Sequence, residues 1–262
     1  MIGVFDSGIG GLTVVRALLD HCPGEDIIYL GDTARTPYGS KSGQTIIKYS
    51  LNNAKFLCGH GADIIVIACN TASSYAFDAV RSHFDAPVFE VIGPGAQLAV
   101  QQSRKQRIGV IGTRATVASG IYKKKIAALA PKARVFSVAC PLLVPLVEEG
   151  WLRKPETGMI VRKYMAGLKT RQIDTLVLGC THYPVLRDLI QRKIGFRVKL
   201  VDSAESVALQ VGRYLKTLGE APNASESEAA ECRIFVTDPA EQFRKTAHFI
   251  LSQKVPIELA DI

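Results

Sequence analysis

Two stretches decide the fold: DIIVIACNT at residues 63–71 and DTLVLGCTH at residues 174–182. Each begins with Asp, continues through a short run of apolar residues, and ends on a cysteine followed by polar residues. Such runs are typical of buried parallel strands, and the polar residues mark the end where the chain turns into a helix. Two copies in one chain predict a duplicated α/β unit.

Further strand-like runs repeat in the same order around these two stretches. IGVFDS at residues 2–7 matches IGVIGT at residues 108–113. The run at 26–30, which lies between residue 7 and Cys69, matches the run at 134–139, which lies between residue 113 and Cys180. The run at 88–92, about 19 residues after Cys69, matches the run at 197–201, which follows Cys180 at a similar distance. Amphipathic stretches of helical length separate the runs, for example 12–19, 43–58 and 156–168.

We therefore predict an α/β fold with two pseudo-symmetric α/β lobes, mainly parallel sheets, and an active site in the cleft between them. Residues 1–93 plus 205–262 are assigned to the first lobe and residues 94–204 to the second, with the boundary near the Gly-Pro-Gly at 93–95. Residues 220–231 are polar, acidic and poor in bulky apolar groups, which predicts a surface loop.

The composition is that of an ordinary soluble protein, with 262 residues, 47% of them hydrophobic. No apolar run reaches the roughly 20 residues needed to span a bilayer, and the N-terminus lacks the features of a signal peptide. We therefore expect a cytoplasmic protein with no membrane partner. The six cysteines form no CxxC pair, and in the cytoplasm they should be reduced thiols.

The net charge of +8 is unevenly distributed. Residues 94–204 hold 20 Lys and Arg against 6 Asp and Glu, a net of +14, and the rest of the chain has a net of −6. This charge can be a solvated surface, attract an anionic substrate, or complement an acidic neighbour. No nucleic-acid-binding motif accompanies it, so nucleic acid is not the expected partner.

Cys69 and Cys180 are the candidate reactive groups, because each follows a predicted buried strand. Ligands of open α/β sheets bind at that end of the strands, and a helix start there favours an anion and lowers the pKa of a nearby thiol. One such cysteine is more often a packing residue than a catalytic one. Two at equivalent positions of a duplicated fold would meet across one cleft.

Several weaker motifs surround the cysteines. The glycines of DSGIGG at residues 6–11 let the backbone approach a ligand closely, and Asp6 could hydrogen-bond Cys69 or a substrate ammonium. Glycine-rich turns that lead into a helix are, however, also common structural features. TPYGS at residues 36–40 predicts a tight turn. Thr113 and Thr116 offer hydroxyls but could simply cap a helix. Glu148 is either surface charge or a partner that orients His182.

Taken together, FDSGIGG (5–11), PYG (37–39), ACNTAS (68–73), PLLVPLVEEG (141–150) and GCTHYP (179–184) resemble the glutamate racemase family over essentially the whole chain. The resemblance implies cofactor-independent interconversion of L- and D-glutamate by two thiol bases, supplying D-glutamate for peptidoglycan synthesis. Aspartate racemases share the two-cysteine plan, so an aspartate or other acidic amino-acid racemase is the alternative. Some members carry an N-terminal extension tied to activation by a cell-wall precursor. Such regulation is not expected here, because the sequence starts at its first predicted strand.

The resemblance also implies roles for individual residues. Cys69 and Cys180 are the catalytic bases, with Cys180 assigned to L-glutamate and Cys69 to D-glutamate. Asp6, Glu148 and His182 complete the catalytic set by tuning and orienting the thiols. The candidate substrate contacts, including the acidic and hydroxyl groups singled out above, are Asp6, Ser7, Tyr38, Gly39, Asn70, Thr71, Thr113, Thr116, Thr181 and His182.

Four other kinds of protein fit the sequence less well. A zinc site could use Cys180, His182, Cys69 and Asp6, but their spacings are not those of zinc pairs. A thiol hydrolase would draw its cysteine and histidine from separate elements and would not need a second cysteine. A non-enzymatic anion-binding protein would carry arginine clamps, and a pyridoxal enzyme a Schiff-base lysine. We expect no metal and no cofactor, glutamate as the small-molecule substrate, and a homodimer as a compatible assembly.

Overall fold

The computed structural model describes residues 1–219, 230–252 and 255–262, so most of the predicted loop at 220–231 lies outside the described residues. The described residues form ten β-strands and eleven α-helices. The strands are β1 (Ile2–Asp6), β2 (Ile27–Gly31), β3 (Ile64–Ile67), β4 (Val88–Glu90), β5 (Arg107–Gly112), β6 (Arg134–Ala139), β7 (Thr175–Gly179), β8 (Lys199–Asp202), β9 (Cys232–Val236) and β10 (Ile257–Leu259). The helices are α1 (Leu12–His21), α2 (Gly43–Gly59), α3 (Asn70–His83), α4 (Ile92–Gln102), α5 (Arg114–Ala118), α6 (Ile121–Leu129), α7 (Leu143–Glu148), α8 (Pro155–Thr170), α9 (Arg187–Ile194), α10 (Ser203–Thr217) and α11 (Glu241–Leu251).

The strands form two parallel sheets, which confirms the predicted fold class. The first sheet has the order β10-β9-β2-β1-β3-β4 and the second the order β6-β5-β7-β8. Each paired strand in both sheets is parallel to its neighbours. Strands β2-β1-β3-β4 therefore occupy the same places as β6-β5-β7-β8, and the internal repeat read from the sequence is confirmed. All strands of the first sheet come from residues 1–93 and 205–262, while the division into lobes itself stays a prediction.

Two strand predictions differ from the structure. The run at 88–92 ends early as a strand at Glu90, because Ile92 already begins α4. Strand β10 was not predicted from the sequence. It has only three residues, lies at the edge of the first sheet, and has no buried residue to produce an alternating pattern.

The two lobes are joined by helices that pack on each other. The boundary residues 93–95 lie within the first turn of α4, where proline is tolerated because its missing amide would be unpaired anyway. A Cβ atom on Gly95 would lie 3.2 Å from Cβ of Ser203 at the start of α10. The small residue thus lets α4 and α10 approach each other, and the connection between the lobes is made by these packed helices.

One hydrophobic core extends across both sheets. It contains Val66 of the first sheet, Val177 of the second, and residues of α4 and α10 such as Ala96 and Val207 between them. These side chains are fully buried. The lobes therefore share a core on the side of the molecule where the connecting helices lie. No helix in the described ranges combines the length and apolar character needed to cross a membrane.

Glu90 ties the lobes together at the start of α4. Its carboxylate accepts hydrogen bonds from the amides of Ile92 and Gly93 and from the ammonium of Lys125, which belongs to α6, at 2.5, 2.8 and 2.9 Å. The carboxylate is only 6% exposed. It therefore satisfies a helix N-terminus and holds an ion pair between segments assigned to different lobes.

Replacing Glu90 with Ala should lower the free energy of unfolding by about 2–3 kcal/mol, because partly buried donors lose their acceptor. Urea unfolding followed by circular dichroism measures the loss. The matched control is Glu258→Ala, whose ion pair with Arg233 is exposed and screened by water. A loss for Glu258→Ala as large as that for Glu90→Ala would contradict the buried role of Glu90.

Candidate active site

The carboxyl ends of both sheets meet at one small cavity, which in this closed state has a volume of about 10 Å³. Both candidate thiols line it, Cys69 from the first sheet and Cys180 from the second. Most other predicted site residues share it; the lining consists of Ser7, Pro37, Tyr38, Gly39, Cys69, Asn70, Thr71, Thr113, Val144, Cys180, Thr181 and His182. Larger grooves, such as one of about 450 Å³ between α3, α4 and α6, contain neither thiol.

Cys69 follows β3 directly and caps the N-terminus of α3. Its Sγ accepts a hydrogen bond from the amide of Ala72 at 3.4 Å and lies 3.6 Å from Oγ of Ser7. The thiol is 4% exposed. Burial, followed by the nearby carboxyl of Asp6, raises its pKa to about 12, and the bonds to Ala72 and Ser7 offset only part of this. The helix start does lower the pKa of this thiol through the amide of Ala72, as expected, but desolvation raises it by more, so the net shift is upward.

Cys180 follows β7, but no α-helix begins beside it. A short 3-10 turn, Tyr183–Leu186, comes first, and α9 starts only at Arg187. The sequence expectation that both cysteines precede a helix start is therefore wrong for the second one. In place of a helix N-terminus, Nδ1 of His182 lies 3.7 Å from Sγ of Cys180.

His182 links Cys180 to Glu148. Its Nε2 lies 2.5 Å from Oε1 of Glu148, the last residue of α7. Burial lowers the pKa of His182, but its bonds to Cys180 and Glu148 outweigh this and hold the pKa well above 6.5. Burial would raise the pKa of Glu148, yet the bond to His182 and its charge lower it below 4.5. The pair is thus an imidazolium and a carboxylate, with positive charge beside the sulfur of Cys180.

Asp6 lies at the end of β1, between the two lobes. Its carboxyl accepts hydrogen bonds from the amide of Gly8 at 3.0 Å and from Oγ1 of Thr181 at 3.1 Å. Among the described residues no hydrogen bond joins it to Cys69, so that suggested contact is not formed in this state. Burial raises the pKa of Asp6, more than the charge of His182 and its hydrogen bonds lower it.

A cluster of three hydroxyls closes the wall of the cavity next to Cys69. Oγ1 of Thr71 lies 2.9 Å from that of Thr113 and 3.1 Å from that of Thr116, which are themselves 3.0 Å apart. Thr113 also caps α5 by accepting from the amide of Thr116 at 3.2 Å. The capping and the cavity-lining roles suggested by the sequence therefore coexist at Thr113, whereas Thr116 supports it from behind.

Asn70 offers an unused hydrogen-bond donor to the cavity. Its Oδ1 accepts from the phenol of Tyr122, on α6, at 2.6 Å. Its buried Nδ2 has no hydrogen-bond partner among the described residues. Because a buried donor without a partner costs about 1–3 kcal/mol, this atom points to an acceptor that a ligand supplies.

The glycines of the DSGIGG segment bring the lobes into direct contact. A Cβ atom on Gly10 would lie 2.5 Å from Oγ1 of Thr181, and one on Gly8 would lie 2.7 Å from Oε1 of Glu148. Similarly, a Cβ atom on Gly39 would lie 2.5 Å from Cβ of Thr113. Only glycine allows these approaches, which close the cavity from two sides.

Sequence reasoning missed Asp32 and Val144. Asp32 is fully buried behind the cavity, where it accepts hydrogen bonds from the phenol of Tyr38 and, at 2.7 Å, from Nε of Arg35. The sequence did contain a signal for Asp32, because this residue directly follows the second strand just as Asp6 ends the first. Val144 gave no signal, because an apolar residue in a short helix looks like core. Within the described ranges no group of three or more His, Cys, Asp and Glu side chains is arranged to hold a metal ion.

The chain is similar to known racemases over its whole length. Residues 2–211 match the family model described as Asp/Glu/Hydantoin racemase. The glutamate racemase of Persephonella marina is 45% identical over 261 residues, which cover 100% of this chain and 97% of that protein. Among solved structures, a glutamate racemase isoform from Bacillus anthracis has a TM-score of 0.95 at 34% identity, covering 100% of this chain and 97% of that one. The glutamate racemase of Francisella tularensis in complex with D-glutamate has a TM-score of 0.90 at 37% identity, with 100% and 96% covered.

Replacing Glu148 with Gln should lower the pKa of His182, because it removes the negative charge and the acceptor that hold the imidazolium. Titration of the imidazole by NMR measures this pKa directly.

The same ion pair makes the stability of the fold depend on pH. The stabilising contribution of Glu148 is lost as pH falls through its lowered pKa. The contribution of His182 is lost as pH rises from about 6.5 through its raised pKa. The native chain should thus exceed the variant in stability most clearly between pH 4.5 and 6.5. Glu149→Gln is the neighbouring control, and an unchanged His182 titration in Glu148→Gln would contradict the ion pair.

Proposed function

This chain belongs to the Asp/Glu/Hydantoin racemase family, and we propose that it interconverts L- and D-glutamate by proton transfer between Cα and two thiols. The observation that carries this proposal is the pair Cys69 and Cys180, buried in one cavity and contributed by equivalent strands of a duplicated fold. Racemisation requires exactly this supply of groups: one base for the departing proton and one acid for the opposite face of Cα.

Proton transfer from L-glutamate begins at Cys180. Its thiolate takes the α-proton and becomes a thiol, while the bonding electrons move into the α-carboxylate. The Cys69 thiol then gives its proton to the other face of Cα and becomes a thiolate. The product is D-glutamate, and exchange with water restores the first protonation state. The same steps in reverse convert D-glutamate, so each thiol acts once as base and once as acid.

The starting protonation state follows from the two environments. Cys69, whose pKa burial raises to about 12, holds its proton, which suits the acid. The imidazolium of His182 lies beside Sγ of Cys180, where it stabilises negative charge on the base. Glu148 keeps His182 charged and fixes the direction of its ring. His182 and Glu148 therefore stabilise negative charge on the sulfur of Cys180, and the start of α3 does the same for the sulfur of Cys69.

The negative charge that develops on the α-carboxylate needs donors that are already in place. Nδ2 of Asn70 is a buried donor without a partner, and the Thr71 and Thr113 hydroxyls lie beside it on the cavity wall. Such preorganised dipoles in a water-excluded site stabilise a carbanion without an electron sink. Ser7, Tyr38, Gly39, Thr181 and the carboxyl of Asp6 complete the contacts to the amino group and the side chain.

The role in the cell follows from the product. We propose that the enzyme works in the cytoplasm, without metal or cofactor, and supplies D-glutamate for peptidoglycan synthesis. A homodimer is a compatible assembly. An aspartate racemase is the alternative activity, and the length of the accepted side chain separates the two.

The choice of substrate can be tested directly. The protein should racemise glutamate with EDTA present and pyridoxal phosphate absent, as followed by circular dichroism. Aspartate should react far more slowly, because its side-chain carboxylate is one methylene short of the contacts set for glutamate. Comparable rates on aspartate, or a need for either added group, would overturn the assignment to glutamate.

The two-thiol mechanism can be tested by isotope exchange. In D2O, early D-glutamate made from L-glutamate should carry deuterium at Cα while the remaining L-glutamate keeps its hydrogen, as followed by mass spectrometry after chiral separation. Separate acid and base sites produce this asymmetry, because the abstracted proton stays on the first sulfur. Heavy deuteration of recovered L-glutamate before product accumulates would indicate a single exchanging base instead.

Alanine variants complete this test. Cys69→Ala and Cys180→Ala should each abolish racemisation in both directions, since removal of a proton without delivery to the other face returns the starting enantiomer. The Ser variants should be nearly as inactive, because a hydroxyl is a very weak base at pH 7. Cys140→Ala is the control: this thiol is also buried but does not line the cavity. Full activity of Cys69→Ala would rule the mechanism out.

A further inference from the structure

The end of the second sheet at which its four strands begin carries a dense set of positive charges. Strands β5, β6, β7 and β8 are each preceded by a short connection, at residues 103–106, 130–133, 171–174 and 195–198. Together with the adjoining helix ends and strand starts, these connections hold eleven Lys and Arg and a single acidic residue, Asp174. We call this surface the basic edge. Its cations are Arg104, Lys105, Arg107, Lys132, Arg134, Lys169, Arg171, Arg192, Lys193, Arg197 and Lys199.

The four connections form one continuous surface. The amide of Arg134 donates to the carbonyl of Gln106, that of Asp174 to the carbonyl of Arg107, and that of Lys199 to the carbonyl of Asp174, at 2.7 to 3.0 Å. All the cations are exposed except Arg107 and Lys193, which are half-buried. Within the described part of the chain, none of these side chains forms an ion pair with a carboxylate. The charge is therefore not compensated locally.

The duplicated fold supplies an internal comparison. The corresponding connections before the strands of the first sheet lie at 22–26, 60–63, 84–87 and, in the described residues, 230–231. These connections alone contain no Lys or Arg and five acidic residues: Glu25, Asp26, Asp63, Asp85 and Glu231. The four connections of the second sheet, counted in the same way, contain five Lys and Arg and one acidic residue. Two edges with the same architecture thus carry opposite charge, so the fold alone does not account for the basic edge.

Apolar side chains project from the same edge. Phe196 is 81% exposed at the connection into β8, between Lys193 and Arg197, and Leu129 at the end of α6 is 52% exposed. Exposed apolar groups surrounded by cations are the combination with which proteins bind the interface of an anionic membrane. Single-stranded nucleic acid would instead be expected to stack on successive aromatic side chains, and Leu129 cannot serve as one.

We propose that the basic edge docks on an anionic phospholipid bilayer, with Phe196 inserted at the interface and the cations among the headgroups. Both cysteines lie at the carboxyl ends of the strands, so the cavity faces away from the docked surface and docking leaves it accessible. The proposal does not depend on the racemase activity. The sequence predicted no membrane partner from the lack of a spanning segment, an argument that does not address surface docking.

Sedimentation with lipid vesicles tests the proposal on the full chain. Vesicles of phosphatidylcholine with about 30% phosphatidylglycerol should bind the protein at about 0.1 M salt, and pure phosphatidylcholine vesicles should not. Binding should fall steeply at about 0.5 M salt, where the Debye length is about 4 Å. Phe196→Ser should weaken it about tenfold. Arg197→Gln with Lys199→Gln should weaken it about fivefold per charge removed.

Matched variants separate docking from general effects. Phe249→Ser removes another exposed Phe, 59% exposed on α11, and Lys123→Gln with Lys124→Gln removes two exposed charges from the other end of α6. Both should leave vesicle binding within twofold, and all variants should keep the glutamate kcat/KM of the native chain. Binding that does not require phosphatidylglycerol, or is unaffected by Phe196→Ser, would overturn the proposal. So would tight binding of a single-stranded RNA probe that Phe196→Ser weakens in the absence of any vesicle binding.

Discussion

The structure depends on bringing the carboxyl ends of two equivalent strands, β3 and β7, to the walls of one small cavity. A thiol at each end can reach the same ligand only if the lobes approach until their backbones touch. Gly10 against Thr181 and Gly39 against Thr113 provide that approach, since any side chain on either glycine would collide with the other lobe. The carboxyl of Asp6 holds the contact through Oγ1 of Thr181. In this closed state the cavity has room for about one water molecule, and the exclusion of bulk water is what gives the cavity's dipoles their strength.

The duplication supplies the positions of the thiols but not their electrostatic environments. Cys69 lies at a helix N-terminus, but burial raises the pKa of its thiol and so favours the protonated form. Cys180 has a 3-10 turn instead, and His182 provides the neighbouring charge. The two halves therefore surround their thiols with different charges, and the proposed mechanism uses Cys69 as the acid and Cys180 as the base for L-glutamate. A fully symmetric site would give both thiols the same protonation state, which is the one state that cannot transfer a proton across Cα.

The sequence predicted the parts of the site that are local and left out those that need tertiary packing. The strands and both cysteines were predictable because apolar runs bounded by polar residues repeat along the chain. The interruption after Cys180 also had a local signal in Pro184, which restricts the residue before it. In contrast, the raised pKa of Cys69 comes from burial that only lobe closure produces, and the basic edge becomes visible only when four separate connections lie side by side. Asp32 was missed although its position after β2 parallels that of Asp6.

The different environments of the thiols cannot favour one direction of racemisation in kcat/KM. L- and D-glutamate have equal free energies, so the ratio of the two kcat/KM values must equal one whatever the enzyme's structure. The difference between Cys69 and Cys180 can therefore appear only in kcat and KM taken separately, and these must differ between the two enantiomers by the same factor. A free enzyme with its proton on Cys69 is ready for L-glutamate and must first move that proton before it can act on D-glutamate. In the proposed mechanism, the ion pair of His182 and Glu148 sets the free-energy difference between these two forms. It therefore changes kcat and KM by the same factor and leaves kcat/KM equal for the two directions.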